Sequence, residues 1–477
     1  MKTTCWIFAA SLILSSGCHS SGDAVAERPE QSKKERFYSD AELQQMVERL
    51  YVKEDPRRAN FFALRSAGTR AVPFLIRALN DPRTRTATFA DLKFDLSGTS
   101  PFVRIGQLLA ETAPPGAVKP LTTYIDHPNT DFRAEAGYVL GRIGTADCLE
   151  PVRKALADRE HHVREMTLIG VGNALKEERR DQAFLSGVQE VLVPMLKDAG
   201  YDIEGPATVL VEIDAVKAMP ILESPEYFSL GNPQLDTILK ALNREGHKTP
   251  HAILLPLMKE LEPLAAKDTR RSVEYEHALF LYGRNPDAAA DAKLHALLGS
   301  DDESVAYGAA MGLEILAGIE PSDVVFALYD ASKFTAMTQP QQYYYAAREY
   351  QDEVLNGGHD QYFSNSSGDT YRTAIEALRA MGATAKLSIL VDATTAFSPE
   401  KPSVDQQARR VQLDHMSAIG DGVLKAADRR YYDSEKKAAE RMETLMTLYA
   451  LEHRADFLPV AAAGVKPANQ AHTTRPK

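Results

Sequence analysis

Apolar residues recur at intervals of three and four along most of this 477-residue chain, the spacing that gathers them on one face of an α-helix. In residues 124–144, Phe132, Ala136, Val139, Leu140 and Ile143 make such a face. Residues 155–175 repeat the arrangement: Asp126 and Asp158 are 32 positions apart, Arg133 and Arg164 are 31 apart, and so are Gly141 and Gly172. A step near 31 holds two short helices and a turn, so it predicts stacked helical hairpins. Asp126 and Asp158 fall just before the first helix of each unit, where a short acceptor can satisfy free backbone amides. Pro73, Pro120, Pro151 and Pro194 each precede an aliphatic run, as in AVPFLIRAL, and suit the first turn of the second helix because no amide is needed there.

These units resemble HEAT repeats in the aspartate-to-arginine spacing, the Leu-Gly near the end of the first helix and the proline opening the second. The resemblance implies that Asp126, Arg133, Asp158 and Arg164 form a structural ladder between neighbouring repeats. Weaker units stand at 60–80, 100–125 and 301–316, the last with Ala306 in place of the arginine. Over 200–250 the register is harder to follow: VLVEIDAV could be a strand and ESPEYFSLGNPQ is turn-rich, yet Leu235, Ile238, Leu239 and Leu242 restore the helical spacing. Divergent helical repeats are the expectation for that region, with an inserted second domain as the alternative.

Past residue 335 the pattern changes. A helix is expected over 341–355, ending at Asn356, Gly357 and Gly358, where a glycine can take positive φ. HDQYF follows as about one helical turn. Ser366, Ser367 or Asp369 would cap the next helix, in which Tyr371, Ala374, Ile375, Leu378 and Met381 share a face before Gly382 stops it. The run NGGHDQYFSNSSGD, followed by a helix ending in MGA, resembles the signature of the C-terminal domain of the DNA-mimic protein family. Its signature positions here are Asn356, Gly357, Gly358, Gln361, Tyr362, Phe363, Asn365, Ser366, Ser367, Gly368 and Asp369. FSPEKPSVDQQARR and a terminal helix over 438–453 extend the likeness across 341–458. The resemblance implies an all-helical, often dimeric domain. It also implies a founding member whose surface carboxylates stand in for DNA phosphates and occupy a DNA-binding regulator.

Charge bears on that implication. Residues 340–458 carry 18 Asp and Glu against 14 Lys and Arg, 18 − 14 = 4 net negative charges, with both signs interspersed rather than one dense field. The whole chain has formal charge −11, with 55 basic and 66 acidic residues, which argues against a nucleic-acid binder. Residues 1–17 have one early lysine, an apolar run and small residues, the pattern of a secretory signal peptide. The small residues directly before Cys18 resemble a bacterial lipobox, which implies acylation at Cys18. Ser15 stands where an aliphatic residue belongs, so a soluble periplasmic or secreted protein is the alternative. Residues 18–36 and 459–477 read as disordered tether and tail. With Cys18 acylated, Cys148 is left without a disulfide partner and reads as a small buried apolar residue.

Catalytic chemistry finds little to build on. Asn356-Gly357-Gly358 lies at a helix end and has no lysine, unlike a phosphate-gripping loop. Ser366 or Ser367 as a nucleophile would need His359 as base. His161 and His162 are adjacent in a repeat turn, and neither H-E-x-x-H nor C-x-x-C occurs, so no metal and no cofactor are expected. Tyr343, Tyr344, Tyr345 and Tyr350 read as core and rim. The expectation is therefore an all-α chain with HEAT-like repeats over 37–335 and a small helical domain over 340–458. Its expected role is a non-catalytic protein-binding scaffold in the bacterial cell envelope, lipid-anchored and facing the periplasm. The partner is an unidentified protein, with contact to the membrane through the anchor only and self-association through the C-terminal domain. A DNA-mimic regulator and a hydrolase using the 356–369 loop are the competing readings.

Overall fold

The computed structural model describes residues 38–51, 59–86, 100–178, 181–198, 205–332, 334–416 and 418–459. The expected signal peptide, the tether, Cys18 and all of the tail but Pro459 lie outside the described residues. Among the described residues there are 23 α-helices and no strand. The chain divides into two compact units, residues 1–218 and 219–477.

The first unit runs α1 (Asp40–Glu48), α2 (Ala59–Ala67), α3 (Val72–Leu79), α4 (Pro82–Thr86), α5 (Pro101–Thr112), α6 (Val118–Thr122), α7 (Thr130–Ile143), α8 (Leu149–Leu156), α9 (His161–Lys176), α10 (Gln182–Met195) and most of α11 (Pro206–Leu222), within which the division falls. The apolar face read from the sequence is buried in α7: Phe132, Ala136, Val139, Leu140 and Ile143 are each at most 3% exposed. Asn129 caps this helix through the Asp131 amide at 2.8 Å, and Gly144 ends it at φ 63°. Cys148 is buried just before α8, as expected of a small apolar residue.

Arg133 reaches forward into the next repeat and grips Asp158 with two bonds, Nε–Oδ2 at 2.7 Å and Nη2–Oδ1 at 3.2 Å. Asp158 also accepts the Glu160 amide at 2.9 Å, so one carboxylate joins two repeats and steadies a helix start. Arg164 continues the ladder towards Asp198, at 4.0 Å. Asp126 corrects the expectation: it pairs with Lys154 at 2.6 Å on the surface and Asn129 does the capping. Asp126 lies three residues before its cap where Asp158 lies two, and the extra residue carries it out of line. Pro194 corrects a second expectation. It sits inside α10, near its end, rather than in a first turn.

Neighbouring repeats approach closely enough that a side chain would not fit. A Cβ on Gly170 of α9 would overlap the Tyr138 carbonyl oxygen of α7. The second unit uses the same device. It comprises α12 (Leu235–Arg244), α13 (His251–Ala265), α14 (Thr269–Gly283), α15 (Ala288–Leu297), α16 (Glu303–Ala317) and α17 (Pro321–Ser332), then α18 (Gln339–Ser364), α19 (Tyr371–Ala380), α20 (Thr384–Thr394), α21 (Gln406–Asp414), α22 (Ala418–Glu435) and α23 (Met442–Glu452). Here Gly283 of α14 meets the Gly312 carbonyl of α16.

The 200–250 stretch consists of helices joined by turns, with no strand, where it is described. VLVEIDAV lies in α11, which is interrupted at Asp214 (φ −157°, ψ 91°). ESPEYFSLGNPQ forms a turn held by α14: Arg271 donates to the Leu230 carbonyl at 3.1 Å and Arg270 to that of Pro233 at 2.8 Å. Both arginines pair with Glu274, whose side chain is 0% exposed.

A repeat stack ends in an open apolar face that needs a cover. In the second unit that cover is α23, packed on α16. The Arg441 guanidinium donates to the carbonyls of Ser300 and Asp301 (2.7 Å), the turn before α16. Farther along, Thr447 donates to Glu314 Oε1 at 2.7 Å, and the Phe457 carbonyl accepts the Glu320 amide at 3.0 Å. Burial pushes the Glu314 carboxyl up to about 8; nearby Glu443 adds to this, while Thr447 and Arg348 oppose it.

Two outcomes follow. Replacing Gly170 by alanine should destabilise the chain by roughly 1–3 kcal/mol, because the Tyr138 carbonyl belongs to a packed helix and cannot yield freely; urea unfolding would read this, and unchanged stability would contradict the close approach. Folded Glu314 keeps a proton that the unfolded chain releases above about pH 4.5, so stability present at low pH is lost as pH rises from about 4.5 to 8. Glu314→Gln should therefore stabilise the protein increasingly over that window, towards an upper limit of about 5 kcal/mol, and a pH-independent effect on melting would refute the burial argument.

Candidate functional site

The signature segment begins inside α18. Thr338 and Gln341 form its capping box, and Tyr344, Tyr345 and Tyr350 are buried along it. The helix breaks at Gly357 and Gly358, and Gly358 takes φ 79°, the positive value expected of one of the pair. Beyond the break the chain stays helical to Ser364, longer than the single turn expected.

The break is held by Asp428 of α22. Its Oδ1 accepts the His359 amide at 2.8 Å and meets His359 Nδ1 at 2.6 Å, while a Cβ on Gly358 would stand 2.7 Å from Oδ2. Burial raises the Asp428 carboxyl, but the bonds from His359 outweigh it and hold the group below its ordinary value. An ionised carboxylate only accepts, so Nδ1 carries a proton. Nε2 faces the Tyr350 hydroxyl at 2.9 Å, and both rings are 0% exposed. This Asp428–His359–Tyr350 chain has the look of a catalytic relay, but its histidine and tyrosine are sealed in the core and only the Asp428 side chain, 24% exposed, reaches the surface.

Glu353 spans the break from its other side. It accepts from Gln361 Nε2 at 2.6 Å and from Asn365 Nδ2 at 3.0 Å. The densest anchoring comes from Arg409 of α21, 0% exposed. Its Nε donates to Phe363 O at 2.6 Å and its Nη1 to Ser403 O at 2.6 Å; Nη2 donates to Asn365 O at 2.7 Å and Asp369 Oδ1 at 2.8 Å. Gly368 must be small, since a Cβ there would lie 2.8 Å from the guanidinium and 2.7 Å from Tyr362 O.

The capping expectation is corrected here. Residues Ser366–Thr370 form a 3-10 turn that runs straight into α19, and the Tyr371 amide already bonds to Gly368 O. No side chain caps α19; Asp369 turns to Arg409 and Ser367 Oγ points to Tyr362 O at 3.4 Å. Tyr362 and Phe363 are 0% exposed core, and Asn356 and Ser366 remain exposed. No serine meets His359: both ring nitrogens are engaged by Asp428 and Tyr350. Among the described residues no cluster of His, Cys, Asp and Glu could hold a metal ion, and no helix is long and apolar enough to cross a membrane.

Sequence reasoning passed over Glu353, Arg409 and Asp428, which organise the segment. Arg409 lies in the stretch FSPEKPSVDQQARR, but nothing local distinguishes it from Arg410, which is exposed and donates to Ser364 O at 2.7 Å.

This geometry defines a helical-repeat protein whose last repeat is covered by an all-α domain built around a broken helix. The comparisons agree on both parts. A family model described as PBS lyase HEAT-like repeat matches residues 132–158, the α7–α8 pair, and one described as DMP19-like protein matches residues 335–453. No curated protein matches the chain.

Arg409→Lys should cost about 3 kcal/mol of stability, because an ammonium cannot reach acceptors spread along a planar fork and leaves buried carbonyls without donors. Asp369→Ala should cost less than about 1 kcal/mol, its carboxylate being 42% exposed. Denaturant titration of the full chain checks the ranking, and an equal loss in both variants would overturn it.

Proposed function

We propose that this chain is a non-catalytic protein-binding scaffold, exported and lipid-anchored through Cys18, that holds its partner on the helical-repeat surface. One observation carries the reading. The groups that could have been chemical, His359, Asp428 and Arg409, are spent on internal bonds, while the stacked, glycine-tight helices offer a rigid extended surface. The partner is a protein of unidentified nature, and self-association through the C-terminal domain belongs to the same proposal.

The DMP19-like match favours a second reading, a regulator that occupies a DNA-binding protein in place of DNA. Against it, many carboxylates of the domain carry a cation of their own: Asp392 pairs with Arg430, Asp421 with Lys425, Glu443 with Arg348 and Glu376 with Arg379. A phosphate-like field needs them free.

Affinity capture from envelope extract should recover a saturable protein partner that emerges unaltered. Nothing above background, or cleavage of the captured protein, would count against the scaffold. Capture of a DNA-binding protein, released by duplex DNA, would favour the second reading. Separately, Cys18→Ser should move the protein from the membrane fraction to the soluble one. Equal membrane association of wild type and variant would end the anchor proposal.

A further inference from the structure

A groove of about 360 Å³ lies wholly inside the second unit, between α17 and the signature turn. One wall is aromatic. Tyr329 stacks on Tyr345 with ring centroids 4.7 Å apart and planes 14° apart, Phe334 tilts against Tyr345 at 5.8 Å, and Tyr329 is 38% exposed. The other wall is Ser366, Ser367, Asp369, Thr370 and Thr373, so Asp369 is the one charged residue of the lining among the described residues.

The charge on this wall is one-sided. The Ser367 hydroxyl, only 4% exposed, donates to Tyr362 O and that of Thr370 to Ser367 O at 2.9 Å. Asp369 uses Oδ1 on Arg409 and keeps Oδ2 without a hydrogen bond among the described residues. The Ser366 and Thr373 hydroxyls have no hydrogen bond among the described residues and can donate or accept. A carboxylate oxygen facing the exposed Tyr329 ring calls for a flat cation. A guanidinium has five donors in a plane and stacks on aromatic faces, whereas an ammonium offers a point charge and a sugar is uncharged.

We propose that this groove docks an arginine side chain of a protein partner, stacked on Tyr329 and hydrogen-bonded to Asp369 Oδ2 and the hydroxyls of the opposite wall. The inference rests on the protein-binding reading above and names what the partner presents.

The test uses the purified full chain at physiological salt and a fluorescein-labelled Gly-Ser peptide bearing a single arginine, with matched lysine and glutamate peptides. Anisotropy should show saturable binding of the arginine peptide, weaker with lysine and lost with glutamate. Tyr329→Ala should weaken it roughly five- to tenfold, the range of a lost cation–π contact. Thr373→Arg, which places a competing guanidinium in the groove, should do at least as much, and unchanged melting of either variant shows that the fold is intact. Equal binding of the arginine and lysine peptides, or wild-type affinity in a folded variant, overturns the proposal. A partner captured equally well by wild type and Tyr329→Ala would also overturn it while leaving the scaffold reading standing; the absence of any partner would remove the scaffold reading itself.

Discussion

The C-terminal domain depends on one buried cation. Arg409 comes from α21 and ties together the end of α18, the loop at Ser403 and the 3-10 turn before α19, through three backbone carbonyls and a carboxylate. A guanidinium removed from water is costly unless its donors find acceptors, and here the C-terminal end of α18 supplies the Phe363 carbonyl and, at its cap, that of Asn365. Removing the cation would take a charged donor from both.

The repeats depend on something different, the absence of side chains at their seams. Gly170 against Tyr138 and Gly283 against Gly312 bring backbones together in each unit, and Arg133 with Asp158 sets the register between two hairpins. Close backbone approach removes slack between helices, so each unit is stiff by packing density rather than by charge pairs. In the second unit this stack does not end in solvent. Helix α23 and Phe457 close it, which makes the C-terminal domain a structural continuation of the repeats there.

A segment rich in glycine, asparagine, serine and histidine invites a catalytic interpretation, and its geometry points elsewhere. Glu353, Asp428 and Arg409 occupy its polar groups from three sides, and the histidine is enclosed by Asp428 and Tyr350. What is left outward is the half-exposed Asp369 carboxylate beside the exposed Tyr329 ring, a surface suited to recognition.

The sequence by itself determined the helical class, the hairpin step near 31, the apolar faces and the glycine break, since each is a local consequence of periodicity or of the backbone a residue permits. The resemblance of its repeats to the HEAT family implied a ladder, and Arg133 and Asp158 form a rung of it. The sequence misplaced Asp126 and Pro194, where one inserted residue or a longer helix shifted the register, and it assigned capping to Ser366, Ser367 and Asp369 because nothing local shows that a 3-10 turn runs straight into α19. Only the tertiary structure decided that Arg409 is buried while Arg410 is exposed, that Asp428 meets His359 across 69 residues, and that Glu314 is covered by Thr447 across 133. Such partners are chosen by how helices distant in sequence pack, and a charged residue carries no local sign of whether its helix face will meet water or a neighbour.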